Sequence, residues 1–156
     1  MSQITGSGIL LLTYINKQLF IILYRGVGHN KYEDLGGKMD PGEDIYQTAS
    51  RETYEESATY INYKPTDLYT SNKLIIRNYI SFIKIIKNFN INKAIKLLHK
   101  YKDKKHYNEM DDVKIIPLNN LVKSILNGKP ILPLRSRLIE IIFKLYKIPT
   151  NNICKK

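Results

Sequence analysis

Gly37-Lys38-Met39-Asp40-Pro41-Gly42-Glu43, a seven-residue spacer, and then Arg51-Glu52-Thr53-Tyr54-Glu55-Glu56-Ser57-Ala58-Thr59 form the stretch that decides how this chain is read. Asp44 is placed as a helix N-cap with Gln47 three residues on, a capping-box spacing, which predicts a helix from Ile45 to about Tyr60. On such a helix Glu52, Glu55 and Glu56 stand at i, i+3 and i+4, so three carboxylates share one face within about 5–6 Å. Like charges at that spacing destabilise an isolated helix. They become favourable when a hard divalent cation draws on their oxygens; Mg2+ takes one or two carboxylates together with phosphates and waters. Arg51 can pair with a carboxylate and hold it in one rotamer. The Gly36-Gly37 pair lets backbone approach a ligand closely, and a glycine carbonyl can itself be an oxygen ligand.

Working outward, Gly8–Ile15 and Leu19–Arg25 are apolar, β-branched runs joined by Asn16-Lys17-Gln18, a hairpin signal. A glycine-containing loop follows over 26–30, then a short extended piece, Tyr32–Leu35. Pro65 closes the helical region. Arg77–Ile86 reads as the best central strand. Ile91, Ala94, Ile95, Leu98 and Tyr101 recur at helical spacing with lysines between them. A basic loop over 102–110 precedes a short strand, Val113–Pro117, and Asn119 or Asn120 is placed to cap a helix through Ile125. Leu134, Leu138, Ile141, Ile142 and Leu145 mark a last amphipathic helix, with Arg135, Arg137, Lys144 and Lys147 expected on its outer face. Strands with interspersed helices imply an α/β (α+β) fold: a mixed β-sheet sandwiched between helices, in one domain over 1–156.

The net charge of +11 is unevenly spread. Residues 1–72 carry six basic side chains against nine acidic ones, eight of the acids lying between Glu33 and Glu56, whereas residues 73–156 carry nineteen basic and five acidic. An acidic knot inside a basic chain repels itself unless a cation neutralises it, and the basic part offers a polyanion a surface. No run is long and apolar enough to span a membrane, and Met1–Gly8 lacks the basic lead of a signal peptide. With the single cysteine, Cys154, these features fit a reducing, cytoplasmic setting. Isoleucine, lysine, asparagine and tyrosine are abundant and arginine is scarce, a usage that fits an A/T-rich genome such as that of a protist or a large DNA virus.

The pattern Gly37-x5-Glu43-x7-Arg51-Glu52-x-x-Glu55-Glu56 resembles the Nudix box, the signature of hydrolases that act on nucleoside diphosphates linked to another moiety. The flanking hairpin, later strands and last helix lie where that fold would place them. The chain departs from the box at Ala58, where glycine is usual, at Thr53 and Thr59, where bulky aliphatics are usual, and at Leu35, where many members have proline. Ala58 is compatible with the box only if it avoids positive φ.

The resemblance implies roles. Glu52, Glu55, Glu56 and the carbonyl of Gly37 would bind Mg2+ or Mn2+, and Glu43 with Arg51 would support the site. Glu109, ahead of a late strand, would be general base or a further ligand, with Asp111 and Asp112 in reserve. Arg25, Lys38 and Tyr32 are candidates to bind a phosphate-rich nucleotide substrate. Tyr79 and Phe82 are further stacking candidates, Tyr14 and Tyr24 are sheet packing, and His29, His99 and His106 are weak proton carriers. The implied activity is a Mg2+-dependent pyrophosphohydrolase. Its substrate would be free or damaged nucleotides, dinucleoside polyphosphates or diphosphoinositol phosphates, or the 5′ cap of mRNA reached by RNA lying along the basic part 73–156. A non-catalytic Nudix-fold module that binds RNA or nucleotides is the alternative from another class.

Overall fold

The computed structural model describes residues 3–147, so Cys154 lies outside the described residues. Two strands open the chain, β1 (Gly6–Ile15) and β2 (Gln18–Gly26), paired antiparallel from Leu11↔Ile22 to Ile15↔Gln18. Asn16 and Lys17 turn between them with φ of 50° and 66°, the left-handed pair that a two-residue hairpin needs to match strand twist. Beyond Leu11 and Ile22 the strands part. Into the gap fall β3 (Tyr32–Glu33), paired with the end of β2, and β4 (Leu35–Lys38), paired with the start of β1. That wedge carries the Gly36-Gly37 pair to the centre of the molecule.

The packing explains why glycine stands there. A Cβ on Gly36 would lie 1.9 Å from the Tyr79 hydroxyl and 2.6 Å from the Gly8 Cα; one on Gly37 would lie 2.5 Å from a Glu52 carboxylate oxygen. No side chain fits at Gly36, and one at Gly37 would displace the Glu52 carboxylate.

Helix α1 (Ile45–Glu56) then crosses over and returns the chain by way of a 3-10 turn, Pro65–Leu68. The hairpin β5 (Lys73–Ile76) and β6 (Tyr79–Ile85) follows, with β6 parallel to β1. Helix α2 (Ile91–Lys100), β7 (Met110–Pro117) on the far edge of β2, α3 (Leu118–Leu126) and α4 (Ser136–Leu145) complete the fold. The sheet order is β3-β2-β1-β6-β5, with β4 on β1 and β7 on β2. Alternate residues of β1 face opposite sides: Ile9 and Leu11 pack with Ala49, Ala94 and Leu98 of α1 and α2, and Leu10 and Leu12 pack with Leu121, Leu138 and Ile141 of α3 and α4. The expected mixed sheet between helices is what forms. No helix among the described residues is long and apolar enough to cross a membrane.

Several elements differ from the sequence reading. Arg77–Ile86 splits, because Arg77 (φ 52°) and Asn78 form a hairpin turn and β5 precedes it; β1, not β6, is the central strand. The last strand starts at Met110 rather than Val113, since β2 offers backbone partners as far as Gly26. Pro65 opens a 3-10 turn. Pro117, not Asn119 or Asn120, occupies the N-cap of α3. Tyr24 is buried as expected, but Tyr14 is 58% exposed near the hairpin tip. Arg137 does not face outward; it reaches inward to Glu33 and Asp34.

The end of α1 bears on the departures from the box. The helix stops at Glu56, and Ala58 (φ 50°) and Thr59 (φ 74°) both adopt the left-handed conformation that Ala58 was expected to avoid. Their amides close the helix end on Glu55 and Tyr54 carbonyls at 3.1 and 2.8 Å. At Ala58 the strain of roughly 1–2 kcal/mol is offset by a buried methyl and by less freedom in the unfolded chain. Thr59, β-branched and only half-buried, has less to offset it. Thr59→Gly is expected to stabilise the fold by about 0.5–1 kcal/mol, read as a higher urea midpoint at unchanged slope.

Candidate active site

Three carboxylates meet where α1 passes β4. One oxygen each from Glu52, Glu56 and Glu109 lies within 4.8 Å of the others. Glu52 and Glu56 share a face of α1 one turn apart. Glu109 arrives from the other direction, just ahead of β7, and its carbonyl accepts from the Val27 amide at 2.9 Å, which ties it to the end of β2. Glu55 is not in this trio. Its carboxylate meets Arg51 at 3.4 Å instead.

The carboxylates are held by groups the same motif supplies. Asp44 caps α1, accepting from the Tyr46 and Gln47 amides, and the Gln47 side chain answers with the Asp44 amide. Arg51 donates to Glu43 through Nε at 2.6 Å and Nη2 at 3.0 Å, a bidentate fork, to Glu52 at 3.1 Å and to the Lys38 carbonyl at 3.2 Å. The fork holds the Glu43 carboxyl down to about 2, helped by donors from the Asp40 amide and Thr48 hydroxyl. Glu56 is 5% exposed, and the Gly36 amide donates to it at 2.6 Å. Burial pushes the Glu56 carboxyl well above the usual carboxylate range, and the charges of Glu33 and Glu52 add to it. Burial likewise raises Glu52, against the pull of Arg51.

A buried carboxylate beside two others, with the nearby arginine committed elsewhere, is under-compensated. The donor set is three hard oxygens, which suits Mg2+ or Mn2+ rather than a soft metal. The residues present fit such a cation. A cavity of about 410 Å3 opens over Glu56 and Glu109, lined also by Gly28, His29, Glu33 and Arg135. It is large enough for part of a nucleotide.

Behind it stands a charged network that sequence reasoning did not find. Arg137 meets Asp34 at 3.1 Å and Glu33 at 3.2 Å, and its guanidinium lies 4.2 Å over the Tyr79 ring. The Tyr79 hydroxyl donates to Asp34 at 2.7 Å. His29 accepts the Lys31 amide on Nδ1 at 3.0 Å, which leaves Nε2 as the donor to Glu33 at 2.6 Å. Glu33 and Asp34 precede the double glycine in sequence, and two adjacent acids between such short strands could have signalled a distant arginine.

The other candidates lie elsewhere. Arg25 pairs with Asp111 at 2.8 Å at the surface. Tyr32 is 3% exposed and its hydroxyl donates to Asp112; burial and that bond push the Tyr32 phenol up to about 12. Such a ring packs the core and offers no open face for a base. Asp111 and Asp112 are thus engaged outside the trio, and Tyr79 and Phe82 are buried. The Lys38 side chain lines a neighbouring cavity rather than the one over Glu56.

The same architecture recurs in solved structures. The NUDIX domain of Shewanella oneidensis NrtR, complexed with ADP ribose, superposes with a TM-score of 0.60 at 16% identity, over 94% of this chain and 88% of that one. The chain has the Nudix fold. A Nudix hydrolase from M. smegmatis, RenU, matches with a TM-score of 0.56 at 12% identity over 94% of this chain and 86% of that one. A C. elegans Ap4A hydrolase matches with 0.55 at 16% identity over 92% and 96%. No protein-family model matches the sequence, nor does any curated protein. Within the Nudix fold the carboxylate trio sits at the junction of the box helix and the double-glycine strand.

Proposed function

We propose that this chain is a divalent-cation-dependent pyrophosphohydrolase acting on a nucleoside diphosphate linked to another moiety. The observation that carries the reading is the convergence of Glu52, Glu56 and Glu109, two from one helix and one from a distant strand entry, beside a cavity that Glu56 and Glu109 line. Glu52 and Glu56, with Glu109 opposite them, are the groups that would hold Mg2+ or Mn2+. A bound divalent cation supplies charge neutralisation on a pyrophosphate and a lowered pKa for water.

The remaining work falls to side chains. The Gly36 amide fixes Glu56, and Arg51, itself fixed by Glu43, holds Glu52 in one rotamer. Glu109, exposed at the cavity mouth, accepts the proton of the attacking water as its oxygen bonds to phosphorus and the bond to the leaving phosphate breaks. Arg135 is 3.8 Å from Glu33 on the opposite wall and can meet the anionic end of a nucleotide. The NrtR domain complexed with ADP ribose and the Ap4A hydrolase support nucleotide derivatives as the substrate class.

Capped RNA is the second reading, and one surface favours it. Lys93, Lys96 and Lys100 of α2 and Lys102, Lys104 and Lys105 beyond it are exposed, and the segment leads directly to Glu109. Lys100 and Lys104 each lie 5.5 Å over Tyr101, a mixture of charge and ring that suits a single strand.

A product assay decides between them. Cap-labelled RNA, ADP ribose, dinucleoside polyphosphates and diphosphoinositol phosphates are incubated with and without Mg2+. Release of a nucleoside phosphate from the small substrates supports the first reading, and release of cap diphosphate from RNA alone supports the second. No turnover on any of them argues for a binding module. With an active substrate, Glu109→Gln is expected to lower kcat by about 10^2–10^4. A change below about threefold removes Glu109 as the base.

A further inference from the structure

Gly37 and Arg137 line a second cavity of about 300 Å3, together with Thr5, Lys38, Arg77 and Asn78. Its walls are rigid. Asn78 Nδ2 donates to Thr5 Oγ1 at 2.9 Å, the Thr5 amide to the Asn78 carbonyl at 2.8 Å, and the Met39 amide to the Thr5 carbonyl at 2.8 Å. A Cβ on Gly6, also in the lining, would lie 2.7 Å from the Gly37 carbonyl oxygen, so no side chain fills the floor. Three cations and no acid line it among the described residues. Arg137 is already committed to Glu33 and Asp34, which leaves Lys38 and Arg77 to set the charge of the cavity.

Arg77 is the unusual member. It is the first residue of the two-residue turn between Ile76 and Tyr79, with φ 52°, and Asn78 after it is not left-handed. A left-handed φ at a residue with a Cβ carries a strain of roughly 1–2 kcal/mol, which glycine avoids. Arginine here is therefore a strained choice. The fold recovers little in return: Arg77 is 67% exposed, and its ion pair with Glu140 at 3.3 Å is a surface pair of small worth. Eight other described non-glycine residues share that positive φ, so what singles out Arg77 is its place, a cation on the wall of a cavity that no acid lines.

We infer that this cavity binds a phosphate of the substrate outside the cleaved pyrophosphate, held by Lys38 and Arg77. The inference rests on the pyrophosphohydrolase reading, since the two cavities share Gly37 and Arg137 and one extended substrate can occupy both. Two sources share the chemistry: the phosphate chain of a nucleoside polyphosphate, or a phosphodiester of a polynucleotide.

Binding of inorganic tripolyphosphate, measured by calorimetry in EDTA, tests the site apart from catalysis, because without a cation the carboxylate trio repels anions. Arg77→Gly combined with Lys38→Gln is expected to lower the affinity at least tenfold. The thermal midpoint of Arg77→Gly should equal or exceed that of the wild type, since glycine suits the turn. Unchanged tripolyphosphate affinity overturns the site. In turnover with Mg2+, Arg77→Gly should raise KM at least tenfold, either for a nucleoside tetraphosphate or for 5′-diphosphorylated RNA, with ADP ribose unaffected. Which of the two responds names the source, and a KM unmoved for both overturns the substrate assignment. A wild type that turns over nothing would sink the hydrolase reading, and the calorimetry would still decide the site.

Discussion

Glu56→Gln is expected to raise the thermal midpoint of the metal-free protein and, in the same variant, to abolish turnover. The two effects have one origin. The Glu56 carboxyl is buried against Gly36, with Glu52 and Glu33 as its nearest like charges, so its ionised form is disfavoured in the fold. Glutamine keeps the acceptor for the Gly36 amide and removes the charge, a relief of roughly 1–3 kcal/mol. For a domain of this size that is on the order of 2–4 °C per kcal/mol in Tm. The sign with pH follows. A carboxyl whose folded pKa is raised costs stability in full above that folded value, and the cost vanishes below the unfolded value of 4.5. Metal-free wild type should therefore gain on the variant as pH falls toward 4.5. With Mg2+ the order reverses, because the cation binds the folded wild type and not the variant. Turnover should fall by at least about 10^2–10^3, since charge stabilisation at the reacting phosphate is lost. Scanning calorimetry across pH 4–8, with EDTA and with Mg2+, reads all of these. A variant that is destabilised in EDTA, or stabilised by Mg2+ as strongly as the wild type, would sink the assignment.

Much of this site was legible in the sequence because its grammar is local. The capping box, the i, i+3, i+4 carboxylates and the Glu43–Arg51 pair all lie within one turn-and-helix, where spacing alone fixes proximity. Glu109 could be placed from its position before a late strand, although α2 and a long loop separate it from the helix. Glu55 shows where spacing stops. It shares the helix face with Glu52 and Glu56, yet Arg51 at i−4 captures its carboxylate, and a competition between partners is invisible to periodicity. The Glu33–Asp34–Arg137 network was hidden for a different reason. Helical amphipathicity puts Arg137 on the polar face of α4, and only the tertiary fold shows that this face, at the first turn, meets the wedge of β3 and β4. The Arg77 turn was missed because an arginine with left-handed backbone has no sequence signal at all.

The uneven charge of the chain also gains a structural meaning. Basic residues of the second half do more than attract a polyanion. Arg137 neutralises Asp34 and Glu33 behind the carboxylate trio, so part of the positive excess is spent inside the fold and is not available at the surface. Among the exposed remainder two groups stand out, the lysines of α2 with its following loop, and Arg77, which lies beside Lys38 at the second cavity. These surfaces are separate in the fold, and each can be neutralised by mutation without touching the other.

Arg51→Met should produce the largest loss of stability of any single substitution in the box. Arg51 holds Glu43 by a bidentate fork and also meets Glu52, Glu55 and Asp40, the last at 3.4 Å. Methionine keeps most of the stem packing but strands three half-buried carboxylates that repel one another. Breaking a buried pair costs about 3–5 kcal/mol, and with Arg51 27% exposed a loss on the order of 2–4 kcal/mol is expected. Arg51→Lys should recover less than half, because a point charge cannot reproduce the fork. The pH dependence separates this from a packing defect. Glu43 is held at about 2 against 4.5 unfolded, so its contribution is present above pH 4.5 and lost as pH falls toward 2. The gap between wild type and Arg51→Met should accordingly be widest near neutral pH, narrow below about 4.5 and close toward pH 2. A gap that stays constant across that range would mean that Arg51 acts through its stem and not its charge, and kcat would then survive in Arg51→Lys.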